Sequence, residues 1–181
     1  MRAVALLRGI NVGVGRGVPM ADLRALAQGL GWGEVVTYIQ SGNLVFGLSE
    51  VRPAEAAAAL EKVLADRYPF PIPVLVRTED QWRSLAADRP FSGWSDPKQL
   101  SVTLLNGAPD PQSWAALAPW KTDEDEIELI EDRVWVKTPG GYGRSKYTND
   151  FLERKLGRRA TTRNRATVEA LRDLLSTGGQ P

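Results

Sequence analysis

Apolar positions along the chain come in two rhythms, short unbroken runs and longer segments with helical spacing, and they alternate in a fixed order. Ala3–Arg8 is a short apolar run that reads as a buried strand, and it leads into the Gly-rich stretch from Gly9 to Val18 before Pro19. After Pro19, Leu23, Leu26, Ala27 and Leu30 recur at helical spacing until Gly29 and Gly31 stop them, which predicts a helix of about three turns. Glu34–Ile39 and Asn43–Phe46 flank the tight-turn signal Gln40-Ser41-Gly42 and read as a hairpin. Pro53–Tyr68 is Ala-rich and helical, Pro69 to Pro73 breaks it, and Val74-Leu75-Val76 is a further buried strand. The order is β-α-β-β-α-β.

A helical connector at Thr78–Ala87 precedes what reads as the same order again: strand Leu100–Leu105, helix Pro111–Leu117, hairpin Ile127–Ile130 with Val134–Val136, helix Tyr147–Leu156 and a short strand at Ala160–Thr162. A last helix from Arg165 places Val168, Leu171 and Leu175 on one face. Each half matches the ferredoxin-like split-βαβ plan, so the expected class is α+β: two ferredoxin-like βαββαβ halves, helices packed on antiparallel sheets, and a C-terminal helix. The expected division is a first subdomain over residues 1–78, a helical connector over 79–99, and a second subdomain with the terminal helix over 100–181. Repetition is one of element order, without residue-level similarity. Strand directions in this plan bring the Gly9–Pro19 loop beside the Gln40–Asn43 turn, and the Lys137–Lys146 loop beside Thr162–Arg165.

Composition narrows the chemistry. The chain has no His and no Cys, which removes thiolate and imidazole nucleophiles, His general bases, disulfides and Cys/His metal sites. No apolar run approaches the length of a membrane span or a signal-peptide core, so a cytoplasmic protein without a membrane partner is expected. Formal net charge is +1, but residues 79–132 hold twelve Asp/Glu against four Lys/Arg, while residues 133–165 hold ten Lys/Arg against Asp150 and Glu153. An acidic middle is followed by a basic end.

Three stretches carry a resemblance: Leu6-Leu7-Arg8-Gly9-Ile10-Asn11-Val12-Gly13, Val18-Pro19-Met20-Ala21-Asp22-Leu23 and Thr37-Tyr38-Ile39-Gln40-Ser41-Gly42-Asn43, joined by Thr161-Thr162-Arg163-Asn164 near the C-terminus. They resemble the family known as DUF1697, a domain of unknown function. In that family a further Gly and basic residues commonly follow Arg-Gly-Ile-Asn-Val-Gly; this chain has Val14-Gly15-Arg16 there, leaving one cation in the loop. The resemblance implies a duplicated ferredoxin-like fold and no particular reaction.

Candidate ligand-binding residues fall into the two loop clusters. In the first, Gly-rich backbone leads to a helix N-terminus, with Arg8, Asn11 and Arg16 in the loop and Gln40, Ser41 and Asn43 on the neighbouring turn; the spacing matches neither dinucleotide nor P-loop fingerprints. In the second, Lys137, Arg144, Ser145 and Lys146 join glycines and Tyr142 in a phosphate-type loop, with Arg163, Asn164 and Arg165 alongside. Ser145 is expected to cap the helix beginning at Tyr147, and Asn164 the last helix. Asp123-Glu124-Asp125-Glu126 lacks the ligand spacing of a cation loop, and neither a metal nor a cofactor is expected. The six Trp residues are expected in packing roles.

The leading functional expectation is binding of nucleic acid or a small phosphorylated ligand. Neither half shows the paired strand aromatics of an RNA-recognition sheet, so contact would be to the backbone and salt-sensitive. Two alternatives stand beside it. One is an enzyme on a small anionic substrate in the cleft between the halves, using Lys146, Tyr147 or Tyr38. The other is a protein interaction module in which acidic and basic segments attract. The catalytic residues, the ligand's identity and the oligomeric state stay open.

Overall fold

The computed structural model describes residues 1–50, 52–91, 96–120, 122 and 124–177; Trp94 and Asp123 lie outside them. The first four-stranded sheet is built from β1 (Arg2–Leu7), β2 (Gly33–Tyr38), β3 (Asn43–Gly47) and β4 (Val74–Thr78), in the order β2-β3-β1-β4 with every pairing antiparallel. Helices α1 (Met20–Gly29) and α2 (Pro53–Arg67) follow β1 and β3, and α3 (Glu79–Ala87) follows β4. Alternation along the strands sorts the core: Ala3, Ala5 and Leu7 of β1 share one face with Leu44 and Phe46 of β3 and Val74 and Val76 of β4. Leu23, Ala27, Leu60 and Leu64 of the two helices close over that face. Trp32 stacks on Phe46 with centroids 3.8 Å apart, and each such buried ring contributes about 2 kcal/mol through lost water contact.

The second sheet repeats the permutation. Strands β5 (Leu100–Leu105), β6 (Glu126–Ile130), β7 (Arg133–Lys137) and β8 (Ala160–Asn164) stand in the order β6-β7-β5-β8, again all antiparallel. Helices α4 (Pro111–Ala115) and α5 (Asn149–Leu156) cover the face that carries Val134, Val136, Leu105 and Ala160. The last helix, α6, runs from Arg165 to Ser176. The expected α+β class with two similar βαββαβ halves and a C-terminal helix is the observed one.

The two compact units are Met1–Ala87 together with the chain from Glu169, and Asp88–Val168. The end of α6 therefore belongs with the first sheet, where Arg2 Nη1 donates to the carbonyls of Leu174 and Leu175 at 3.1 and 2.8 Å. Those are carbonyls of the last helical turn, where a guanidinium is favoured. Among the described residues no helix is long and apolar enough to cross a membrane.

Candidate functional site

In the first unit the loop after β1 is tied down at every turn. The Leu7 amide donates to the Gly42 carbonyl at 2.8 Å and that of Arg8 to the Pro73 carbonyl at 2.9 Å. Asn11 sits in the left-handed region at φ 54, a conformation that Asn tolerates better than most residues. Its Oδ1 accepts the Val18 amide at 2.8 Å, and its Nδ2 donates to the Val18 and Gln40 carbonyls at 3.1 and 2.7 Å. The side chain expected to meet a ligand instead joins the loop to the hairpin turn, and both its N–H groups are spent.

Arg16 is similarly engaged. Its Nη2 donates to the Pro71 carbonyl at 2.9 Å and its guanidinium lies 4.9 Å from the centre of the Phe70 ring, a cation–π arrangement. Asp22 occupies the first turn of α1, so the positive end of that helix already faces a carboxylate. Asn43 is fully buried and its Nδ2 donates to the Tyr38 carbonyl at 3.1 Å, closing the turn. Arg8 is half-buried, while Gln40 and Ser41 are exposed on the turn.

Beside Asn11, Gln40 and Ser41, the first cluster also presents large apolar side chains to solvent: Val12 is 59%, Val14 102% and Ile39 50% exposed. Ile39 also holds φ 47, which a β-branched side chain adopts only at a cost. The periodicity reading passed over the two valines, which inside a glycine-rich loop fit no strand or helix pattern, and placed Ile39 in the strand that in fact ends at Tyr38.

In the second unit a chain of hydroxyls fixes the Lys137–Lys146 loop. Tyr142 Oη lies 3.0 Å from Thr162 Oγ1 and 3.3 Å from the Tyr147 carbonyl; Thr162 donates to Asn149 Oδ1 at 2.7 Å and meets Thr103 Oγ1 at 2.7 Å. The loop and the Thr162 segment are thus brought together, as the strand directions require. Lys137 Nζ pairs with Glu126 at 2.6 Å.

The expected cap of α5 is corrected. The helix begins at Asn149, and Thr148 Oγ1 accepts the Phe151 amide at 3.3 Å. Ser145 Oγ takes the Tyr147 amide at 3.1 Å, a local turn bond that holds the buried Tyr147 ahead of the helix. Asn164 does cap α6, its Oδ1 accepting the Thr167 amide at 2.8 Å. Tyr147 is buried and its hydroxyl donates to the Trp120 carbonyl at 3.0 Å.

Arg163 and Arg165, named as candidate ligand-binding residues beside the basic loop, are interior side chains. Arg163 Nη1 donates to Thr161 Oγ1 and to the Thr162 carbonyl at 3.0 and 2.8 Å, and burial pulls its guanidinium down to about 10. Arg165 is 2% exposed, lies 5.5 Å from the centre of the Trp135 ring, and donates to the Asp88 carbonyl at 3.3 Å. Strand register explains Arg163: it pairs with Val102, which pairs with Trp135, on the sheet face turned away from α4 and α5.

Asp88 organises that face and no sequence signal marked it. Its Oδ2 accepts Trp135 Nε1 at 2.8 Å and lies 2.8 Å from Arg133 Nε. The second approach is an ion pair whose N–H is not aimed at the oxygen. Glu131 completes the group at 3.1 Å from Arg133 Nη2. Burial raises the Asp88 carboxyl above its ordinary range, against the lowering effects of Trp135 and Arg133. Lys155, 4.3 Å from the centre of the Trp120 ring, and Arg158, bonded to the Ala108 carbonyl at 3.1 Å, are also engaged within the unit. Arg144, Lys146 and, on α5, Arg154 are different: their side chains are exposed and make no hydrogen bond or ion pair among the described residues.

Two split-βαβ sheets, each with a pinned loop cluster, define a small α+β protein of two similar halves. The chain belongs to the family described as Protein of unknown function (DUF1697), whose profile matches residues 1–135. That match ends within β7, before Thr161–Asn164. A solved structure of a conserved bacterial protein from Streptococcus pneumoniae is 25% identical, with a TM-score of 0.76 over 96% of this chain and 98% of that one. No curated protein matches the chain.

Proposed function

We propose that the chain binds a phosphate-bearing ligand, with nucleic-acid backbone as the testable representative, at the Thr138–Lys146 loop of the second unit. The observation that carries this reading is that Arg144 and Lys146 share one loop with exposed side chains unpartnered among the described residues, whereas Arg133 and Lys155 are used inside the fold and the exposed Arg154 stands on α5. Tyr142 anchors the loop beneath them through Thr162, so the two charges are offered from an ordered base, which lowers the entropic cost of meeting an anion. Asp150 lies in the first turn of α5, so the reading rests on the two side chains and not on the helix end.

A two-cation site makes a definite prediction about salt. Each phosphate neutralised contributes a slope of roughly −0.9 in log affinity against log salt, so a slope near −2 is expected, far below that of a broad basic surface. Fluorescence polarisation of labelled RNA and DNA across a salt series, with mononucleotides and a charge-matched polyanion as competitors, measures it. Loss of binding in Arg144→Ala with Lys146→Ala, at unchanged melting temperature, supports the reading. Binding that survives the double substitution, or no binding at low salt, rejects it.

A further inference from the structure

β6 is an edge strand that lacks a backbone interruption. It pairs with β7 through consecutive register pairs from Glu126–Lys137 to Ile130–Arg133. The corresponding edge of the first sheet, β2, shifts register between Gly33 and Val36 and holds Glu34 at φ 48, an irregularity of the kind that blunts edges against further pairing. The Ile130–Arg133 pair closes a two-residue turn and is therefore of the hydrogen-bonded kind, and the kinds alternate from there. Ile127 and Leu129 consequently turn their N–H and C=O groups toward the side of β6 on which no described strand pairs.

Space and chemistry flank that edge. A pocket of about 410 Å³ is lined by Trp114 and Leu117 on one side and by Ile127, Glu128 and Leu129 of β6 on the other. A second, of about 320 Å³, is lined by Asp125, Glu126, Ile127, Glu128 and Tyr147. Strand alternation separates the two characters: Ile127 and Leu129 face α4 and α5, while Glu126 and Glu128 face the other way.

We propose that β6 accepts an extended segment of a partner protein as an added strand, and that the segment alternates apolar and basic residues. Main-chain bonds to Ile127 and Leu129 would hold it, apolar side chains would enter the Trp114–Leu117 pocket, and Lys or Arg would meet Asp125 and the exposed Glu126, which it would share with Lys137, while Glu128 keeps the Phe91 amide at 3.1 Å. Charge selects this occupant over a second copy. Antiparallel pairing of two β6 edges in registers centred on Ile127 or Glu128 sets glutamate opposite glutamate, which is repulsive.

The test uses the full chain and a blocked octapeptide of alternating lysine and valine, followed by fluorescence polarisation and by amide shifts in NMR spectra. Expected is salt-sensitive binding with the largest shifts at Ile127 and Leu129, weakened about tenfold by Asp125→Lys with Glu126→Lys. Ile127→Pro removes an outward amide, a change that edge strands tolerate, and should abolish binding. Should that variant fail to fold, the charge reversal still decides. Equal binding of a glutamate–valine peptide, shifts elsewhere, indifference to the charge reversal, or self-association of the chain through β6 would each overturn the proposal.

Discussion

The Asn11 side-chain amide donates to the Gln40 carbonyl at 2.7 Å, and that bond makes one piece of a loop and a turn that are 29 residues apart in sequence. Asn11→Asp keeps the acceptor for Val18 but deletes both donors and sets a carboxylate against two carbonyl oxygens. The expected loss is about 2 kcal/mol in chemical denaturation. A loss below about 0.5 kcal/mol would show that the loop holds its place without the bond.

Ile39 offers the opposite sign. Its exposed, β-branched side chain sits at φ 47, so Ile39→Asn, which tolerates that conformation, should stabilise the protein by about 1 kcal/mol. Thermal melting reads this directly, and an unchanged or lower melting temperature would contradict it.

Gly42 is held at φ 73, and a Cβ there would stand 2.7 Å from Leu7 Cβ and 2.8 Å from Ile10 Cδ1. Neither neighbour can yield: Leu7 and Ile10 are both core residues. Gly42→Ala is expected to cost about 3 kcal/mol from overpacking and backbone strain together, or to prevent accumulation of soluble protein.

Asp88 predicts a pH dependence. Its folded carboxyl lies above the ordinary value of 3.8, first because of burial, so between that value and the raised one the folded state holds more proton than the unfolded state. Stability contributed by this group is present in acid and declines as pH rises through that window. Asp88→Asn should remove that descending component from a plot of unfolding free energy against pH, while leaving Arg133 with Glu131 as its remaining carboxylate partner. An identical profile in the variant would exclude Asp88 as its source.

Element order, both hairpins and the pairing of loops at one end of each sheet were legible because they follow from short-range periodicity and from strand direction. Side-chain roles were less so. A loop arginine such as Arg16 looks available in sequence, and only the fold brings Phe70 and Pro71 to it. Arg163 and Arg165 read as candidate ligand-binding residues beside a basic loop, yet strand parity and Trp135 make them interior. Asp88 meets its indole partner across 47 positions, a contact no local pattern announces. Thr148 lost the cap to Ser145 in the sequence reading because both are hydroxyl residues just ahead of one helix, and only backbone geometry separates them.

The bonds from Arg2 to the Leu174 and Leu175 carbonyls join the first strand to the last helix, with all of Asp88–Val168 lying between them in the chain. During synthesis, β1 leaves the ribosome long before those carbonyls exist. The first unit must then wait, its sheet paired but one edge of its contacts missing, until the second unit has been made. Formation of the complete first unit is thereby deferred to the end of translation, and that places its slowest contacts among the longest loops in the molecule.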